Sequence, residues 1–259
     1  MNQPDNDFQN NPTHHRVCTD RATIKDLGRA ALVKSERLIV FVKAPRPGAV
    51  KTRLAESLGM GRACSAYQQL VEVLLANLRD LPSIELRFSP DAAAADIHPW
   101  LSEGRSSSPQ GPGDLGQRLQ AAFTDAFAAG ATRVVIIGSD CPSVTAYDVQ
   151  AAWSALGECD VVLGPARDGG YWLIGLRQPQ PAIFRGIPWS TDQVFRETME
   201  RTRQAGLSLH LLRELEDVDT EEQWRRFLAA RNRDGIKTAD GYDTDNQSTT
   251  SGRAGDFPG

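Results

Sequence analysis

Between about Glu36 and Arg231 the spacing of apolar residues switches repeatedly between a period of two and a period near 3.6. Short runs rich in β-branched residues, at Leu38–Val42, Ile84–Phe88, Arg133–Ile137, Asp160–Leu163, Tyr171–Leu176 and Leu207–Leu212, predict strands. Between them, Ala63, Tyr67, Leu70, Val71, Leu74, Leu75 and Leu78 recur at i, i+3 and i+4, the stripe of a helix with one buried face. A second stripe runs Leu115, Leu119, Ala122, Phe123, Ala126, Phe127 and closes at Gly130. Ser190-x-x-Gln193 opens a further helix and Gly206 closes it, while Thr145-x-x-Asp148 reads as a capping box. Strands alternating with helices of this length predict βαβ units around a mostly parallel sheet.

Outside that core the pattern fades. Residues 1–34 are expected to form a disordered or weakly helical arm, with any helix at 22–34, and residues 233–259 a disordered Gly/Ser/Thr/Asp tail. That leaves one domain, 35–232. Charge narrows its partners: 29 Lys and Arg against 33 Asp and Glu give −4, so no net field draws the chain to nucleic acid, and anion recognition needs a local basic cluster. The longest apolar run, Leu38–Val42, falls far short of the roughly 20 residues of a membrane span. Met1–Thr13 carries no apolar segment of a secretory signal. Four scattered cysteines (Cys18, Cys64, Cys141, Cys159) form no C-x-x-C pair, which argues against a zinc site or disulfide framework and suits a reducing cytoplasm. His14-His15 reads as a solvated pair rather than a metal site.

In parallel sheets ligands bind beyond the carboxyl ends of the strands, so the residues after each strand carry the chemistry. After the first strand, Lys43, Arg46, Lys51 and Arg53 lie within eleven residues, in a loop stiffened by Pro45 and Pro47, opened by Gly48 and leading through Thr52 into a helix. Cations and helix-terminal N–H groups together suit a phosphate or pyrophosphate; the plain alternative is a solvated basic turn. Val50 before Lys51 excludes a Walker A loop. Gly111-Pro-Gly113-Asp114-Leu-Gly116 matches G-x-G-x-x-G, but the polar residues 102–110 before it do not read as the strand a dinucleotide fingerprint requires. A loop closing over a base or ribose, with Gly113 and Arg118, is the better reading, and a surface loop capped by Asp114 nearly as good.

The third core strand ends in Gly138-Ser139-Asp140-Cys141-Pro142 and delivers Asp140 where a hard cation could sit, or a simple turn carboxylate. After the fourth, Asp168-Gly169-Gly170-Tyr171 offers a carboxylate as base or sugar ligand, two glycines for close approach and an aromatic wall; a tight turn explains it as well. Trp189, Ser190 and Thr191 are candidates for the acceptor side. Asp219 and Glu222 could complete a metal site with Asp140, although Asp219-x-x-Glu222 also fits a capping box.

Taken together, Phe41-x-Lys43-x-Pro45-x-Pro47-Gly48-x-Val50-Lys51-Thr52-Arg53-Leu54, Gly138-Ser139-Asp140-Cys141-Pro142, Gly164-Pro165-x-x-Asp168-Gly169-Gly170-Tyr171 and Trp189-Ser190-Thr191 resemble, in order, the DUF2064 family. The likeness spans about Leu38 to Phe227. It implies a Rossmann-like glycosyltransferase-A (GT-A) fold, a three-layer sandwich with a mostly parallel mixed sheet, in the nucleotide-diphospho-sugar transferase superfamily. Some members of the family are assigned to arsenosugar biosynthesis, and 2-phospholactate guanylyltransferase is a relative with a similar first loop. The resemblance implies that Lys43, Lys51 and Arg53 hold nucleotide phosphates, that Asp140 binds Mg²⁺ or Mn²⁺, and that Asp219 and Glu222 are second-site candidates. The sequence departs from common GT-A enzymes in offering one carboxylate, Ser139-Asp140-Cys141, where they carry Asp-x-Asp. The expectation is a cytoplasmic, metal-dependent transferase moving a sugar from a nucleotide-diphosphate donor to a small-molecule acceptor. The alternatives are nucleotidyl transfer from a nucleoside triphosphate and a silent nucleotide-binding module.

Overall fold

In a computed structural model, which describes residues 36–102 and 104–233, the first apolar run becomes β1 (Glu36–Lys43). A loop leads to α1 (Thr52–Leu58) and α2 (Met60–Asn77), followed by β2 (Ile84–Ser89), the single turn α3 (Ala94–Ile97) and β3 (Arg105–Pro109). Then come α4 (Leu115–Ala128), β4 (Arg133–Gly138), α5 (Ala146–Ala155), β5 (Val161–Pro165), β6 (Tyr171–Leu176), α6 (Val194–Gln204), β7 (Leu209–Leu211) and α7 (Glu221–Arg233). The expectations for residues 1–34 and for the tail beyond Arg233 fall outside the described residues.

The seven strands form one sheet in the order β3-β2-β1-β4-β6-β5-β7. Val40 pairs in parallel with Leu86 on one side and Ile137 on the other, while β6 runs antiparallel to both β4 and β5. Every strand but β6 therefore points its carboxyl end to the same edge. The chain winds from β1 outward to β3 and then crosses to β4, so the ends of β1 and β4 flank the topological switch point where such sheets hold ligands.

Alternation along β1 builds the layers. Leu38, Val40 and Val42 pack with Tyr67, Val71 and Leu74 of α2 and Val149 and Trp153 of α5; Ile39 and Phe41 pack with Leu119 and Phe123 of α4 on the other face. A smaller cluster joins Leu54 of α1, Ala63 and Leu70 of α2, Trp224 of α7 and Val218 from the segment before it. Leu54 is fully buried there. Burying a side chain of this size is worth roughly 1.5–3 kcal/mol, and this anchor fixes α1 three residues beyond Lys51. No helix among the described residues is long and apolar enough to cross a membrane.

Two expectations are corrected. Arg105-Ser-Ser-Ser-Pro109 is a strand, paired with β2 alone at the sheet edge. Its residues are half-buried or exposed, so no alternating apolar face was there to read. The glycine run Gly111–Gly116 does follow a strand; what separates it from a dinucleotide fingerprint is its place after an edge strand, two positions from the switch point. Ser190 does not cap α6. That helix starts at Val194 without a side-chain cap, and the Thr191 hydroxyl instead donates to Pro188 O and accepts from Gln193 N.

Candidate functional site at the switch point

Lys51 stands at the centre of the site. Its ammonium lies 2.5 Å from Asp140 Oδ1 and donates to Asp219 Oδ1 at 2.7 Å, with only 2% of the side chain exposed. The backbone at Lys51 is left-handed (φ 48°, ψ 48°), a strained conformation for a residue with a Cβ and one that concentrates at functional positions. Gly48 (φ 81°) makes the preceding turn. Burial alone would lower the lysine pKa; the charges and hydrogen bonds of Asp140 and Asp219 outweigh it and hold the group above its ordinary value.

Asp140 arrives at the tip of β4. Asp219 arrives from the other end of the chain. After β7, Leu215 bridges to Ala166, Arg167 N donates to Leu215 O, and Val218 N donates to Asp140 O, so the segment crosses the carboxyl ends of β5 and β4. Val218 is buried against α1 and α2, between Asp217 and Asp219. The α7 cap is Thr220, whose hydroxyl accepts from Gln223 N while Gln223 Oε1 accepts from the N–H groups of Asp219 and Thr220. The capping box thus sits one residue later than Asp219-x-x-Glu222, which leaves the Asp219 carboxylate for Lys51.

Negative charge accumulates around this ion triad. The carboxyl of Asp217 is pushed up to about 7, first by burial and then by the charges of Asp140, Asp168 and Asp219, with Lys51 pulling the other way. Asp217 is not among the residues the sequence points to, Asp219 and Glu222; the Asp-Val-Asp run around a buried valine is its signal. Tyr67 was read as part of the α2 stripe. Its hydroxyl accepts the Lys43 N–H at 2.8 Å and lies 2.9 Å from Ser139 Oγ, so it ties the end of β1 to the end of β4.

A cavity of about 160 Å³ opens beside the triad, lined by Lys43, Val50, Lys51, Thr52, Arg53, Tyr67, Asp140 and Asp219. Lys43, Thr52 and Arg53 are exposed, and among the described residues neither Lys43 nor Arg53 joins an ion pair. Arg46 is engaged elsewhere, 2.7 Å from Asp96 of α3, and is not part of this lining.

The remaining candidates spread along the same sheet edge. Asp168 Oδ1 accepts from Gly170 N in a tight turn. Gly169 (φ 87°) packs so closely on Asp192 that a Cβ would sit 2.2 Å from its carbonyl oxygen, and its own carbonyl accepts from Phe195 N. The Tyr171 hydroxyl is buried next to Thr198, where burial raises its pKa; it points into the α6 layer and is not an aromatic wall of the cavity. Trp189 is half-buried against Gly116 in the first turn of α4, whose missing Cβ would lie 2.7 Å from the indole. Ser190 is exposed with φ 66°, beside Thr191. Gly113 (φ 97°) precedes the Asp114–Gln117 capping box of α4. Arg118 reaches Gln110 Oε1 at 3.4 Å, and Gln110 in turn donates to Val42 O and Arg87 O, which holds this arginine to the ends of β1 and β2. Glu222 is exposed on α7 and does not line the cavity.

Asp140 and Asp219 present the hard oxygen donors that Mg²⁺ or Mn²⁺ prefers, and the surplus of carboxylates calls for more positive charge than Lys51 supplies. Among the described residues no group of three or more His, Cys, Asp or Glu side chains stands ready as a complete metal cage. A cation here would draw on two carboxylates and complete its shell with water or ligand oxygens, as Mg²⁺ commonly does.

Comparison with known proteins agrees with the fold. Residues 74–191 match the family described as "uncharacterized protein conserved in bacteria (DUF2064)". A solved protein of Desulfovibrio desulfuricans G20, provisionally assigned as a nucleotide-diphospho-sugar transferase, is 34% identical, covers 78% of this chain and 96% of its own, and superposes with a TM-score of 0.69. Phosphoenolpyruvate guanylyltransferase of Chloroflexus aggregans is 35% identical over 125 residues, which is 45% of this chain. The match spans 60% of that relative's length. The fold recurs in 4-diphosphocytidyl-2C-methyl-D-erythritol synthase of Anaerococcus prevotii DSM 20548 (13% identity, 78% of this chain and 99% of that one, TM-score 0.51). The chain belongs to the DUF2064 family, within the nucleotide-diphospho-sugar transferase fold.

Proposed function

We propose that the protein is a metal-dependent nucleotidyltransferase that joins a nucleoside monophosphate unit to a phosphorylated small molecule and releases pyrophosphate. One observation carries the reading: Lys43 and Arg53 stand exposed and, among the described residues, without ion-pair partners, beside Lys51 on one small cavity. That density of cations suits a triphosphate better than a diphosphate. The absence of Asp-x-Asp at Ser139-Asp140-Cys141, and the guanylyltransferase among the relatives, favour the same choice over glycosyl transfer.

In this reading an oxygen of the acceptor phosphate attacks the α-phosphorus. The bond to the bridging oxygen breaks, and its electron pair leaves with pyrophosphate. Lys43 and Arg53 bind the β- and γ-phosphates, and with Lys51 they offset the charge that grows on the leaving group. Asp140 and Asp219 would hold Mg²⁺ or Mn²⁺, which supplies Lewis-acid polarisation of the phosphates when bound. An acceptor phosphate is already ionised near neutral pH, so Asp168 has no proton to remove and serves to orient the acceptor. Trp189, Ser190 and Thr191 stand on the acceptor side of the same edge.

The second reading, glycosyl transfer from a nucleotide-diphosphate sugar, is favoured by the Desulfovibrio relative. Phosphorus NMR separates them. The protein with Mg²⁺ is incubated with each nucleoside triphosphate and a set of phosphorylated acids, beginning with GTP and phosphoenolpyruvate, and in parallel with nucleotide sugars. Acceptor-dependent pyrophosphate release is the expected result. Nucleoside diphosphate released from a nucleotide sugar would reverse the ranking, and no turnover of either kind would leave a binding module.

A further inference from the structure

Lys51 occupies the place where a cation shared by Asp140 and Asp219 would sit. Its Nζ lies within hydrogen-bond distance of one oxygen of each carboxylate, and its side chain is almost wholly enclosed. A divalent ion entering between the two acids would have to displace the ammonium or lie beside it, and like charges at that separation repel strongly. A phosphate in the cavity that Lys51 shares with Lys43, Thr52 and Arg53 would offer the ammonium another anionic partner. The strained backbone at Lys51 gives the loop a gentler conformation to relax into once that happens.

We propose that Lys51 is a resident counter-ion that locks the Asp140–Asp219 site against divalent metal until a nucleotide's phosphates draw it away. The proposal rests on the reading of Asp140 and Asp219 as metal ligands and adds the order of filling. Metal and nucleotide are then coupled: each binds more tightly in the presence of the other, by the same factor.

The test uses Mn²⁺ alone, with no nucleotide, and follows its binding to the full-length protein by electron paramagnetic resonance and calorimetry. Wild type is expected to bind Mn²⁺ weakly at this site, and Lys51→Met and Lys51→Gln at least tenfold more tightly, with the gain abolished by adding Asp140→Asn. Equal or weaker Mn²⁺ binding in folded Lys51 variants overturns the lock. Should both variants fail to fold, the side-chain ammonium resonance of Lys51 in wild type decides: it is expected to stay fixed on adding Mg²⁺ and to move on adding pyrophosphate. Movement with Mg²⁺ alone overturns the proposal. Because none of these measurements needs turnover, a failure of the assigned reaction and a failure of the lock give different results.

Discussion

The ammonium of Lys51 and the carboxylate of Asp140 are 2.5 Å apart, one at the end of a strained loop and the other at the tip of the neighbouring parallel strand. This pair gives Asp140 a structural share as well as a place in the site. Asp140→Asn is expected to abolish metal-dependent turnover and to lower stability by about 1–2 kcal/mol, since Asp219 still pairs with the buried lysine and Asp140 is itself half-exposed. Urea denaturation alongside the phosphorus NMR assay measures both; full activity in the variant would remove Asp140 from the site.

Lys43 and Arg53 carry no ion pair among the described residues and are exposed, so their removal isolates ligand binding from folding. Lys43→Ala with Arg53→Ala is expected to weaken nucleoside triphosphate binding more than tenfold in calorimetry while stability stays within about 0.5 kcal/mol. Unchanged affinity would move the phosphate site elsewhere.

Outside the cavity lining, Asp148 predicts an acid-labile part of the stability. Its carboxylate accepts from Arg213 Nε (2.7 Å) and Nη2 (2.8 Å) and from Thr145 N and Oγ1 (both 2.8 Å). Burial by itself would raise its pKa, and these bonds more than reverse that, holding it below the usual 3.8. A depressed carboxyl stabilises the fold above its unfolded pKa and loses that contribution as pH falls through the folded one. Asp148→Asn is therefore expected to cost about 1–3 kcal/mol at pH 7, with the gap to wild type closing below roughly pH 3.8 in denaturation curves. A gap that persists unchanged at pH 3 would contradict this account.

Gly169 joins the Asp168 turn to the loop that carries Trp189. Its positive φ and the Asp192 backbone against its α-carbon leave no room for a methyl group. Gly169→Ala is expected to destabilise by roughly 1–3 kcal/mol and to raise the KM for the acceptor more than that for the nucleotide. Steady-state kinetics with each substrate varied in turn checks the split.

The parts of the molecule that the sequence revealed are those written in apolar rhythm. The strands around Val40, Ile136 and Ile174 and the stripe of α2 were legible because each buries at least one whole face. β3 was not, because an edge strand pairs on one side and keeps its serines in water. Lys51 was readable in the loop after one strand and Asp140 at the end of another, but their mutual contact was not, since it depends on the parallel pairing of β1 and β4. The partnership of Lys51 with Asp219 was hidden further still: spacing offered Asp219 a helix cap, and only the Thr220–Gln223 alternative frees it. Tyr67 was masked by its neighbours, a polar tip on an otherwise apolar stripe.

The bond between Lys51 and Asp219 joins positions 168 residues apart. On the ribosome, the phosphate loop and β4 emerge long before the segment that supplies the second acid, so the pocket cannot close until translation has passed Asp219. A product truncated ahead of that point would keep most of the sheet yet leave the buried ammonium of Lys51 with half its counter-charge.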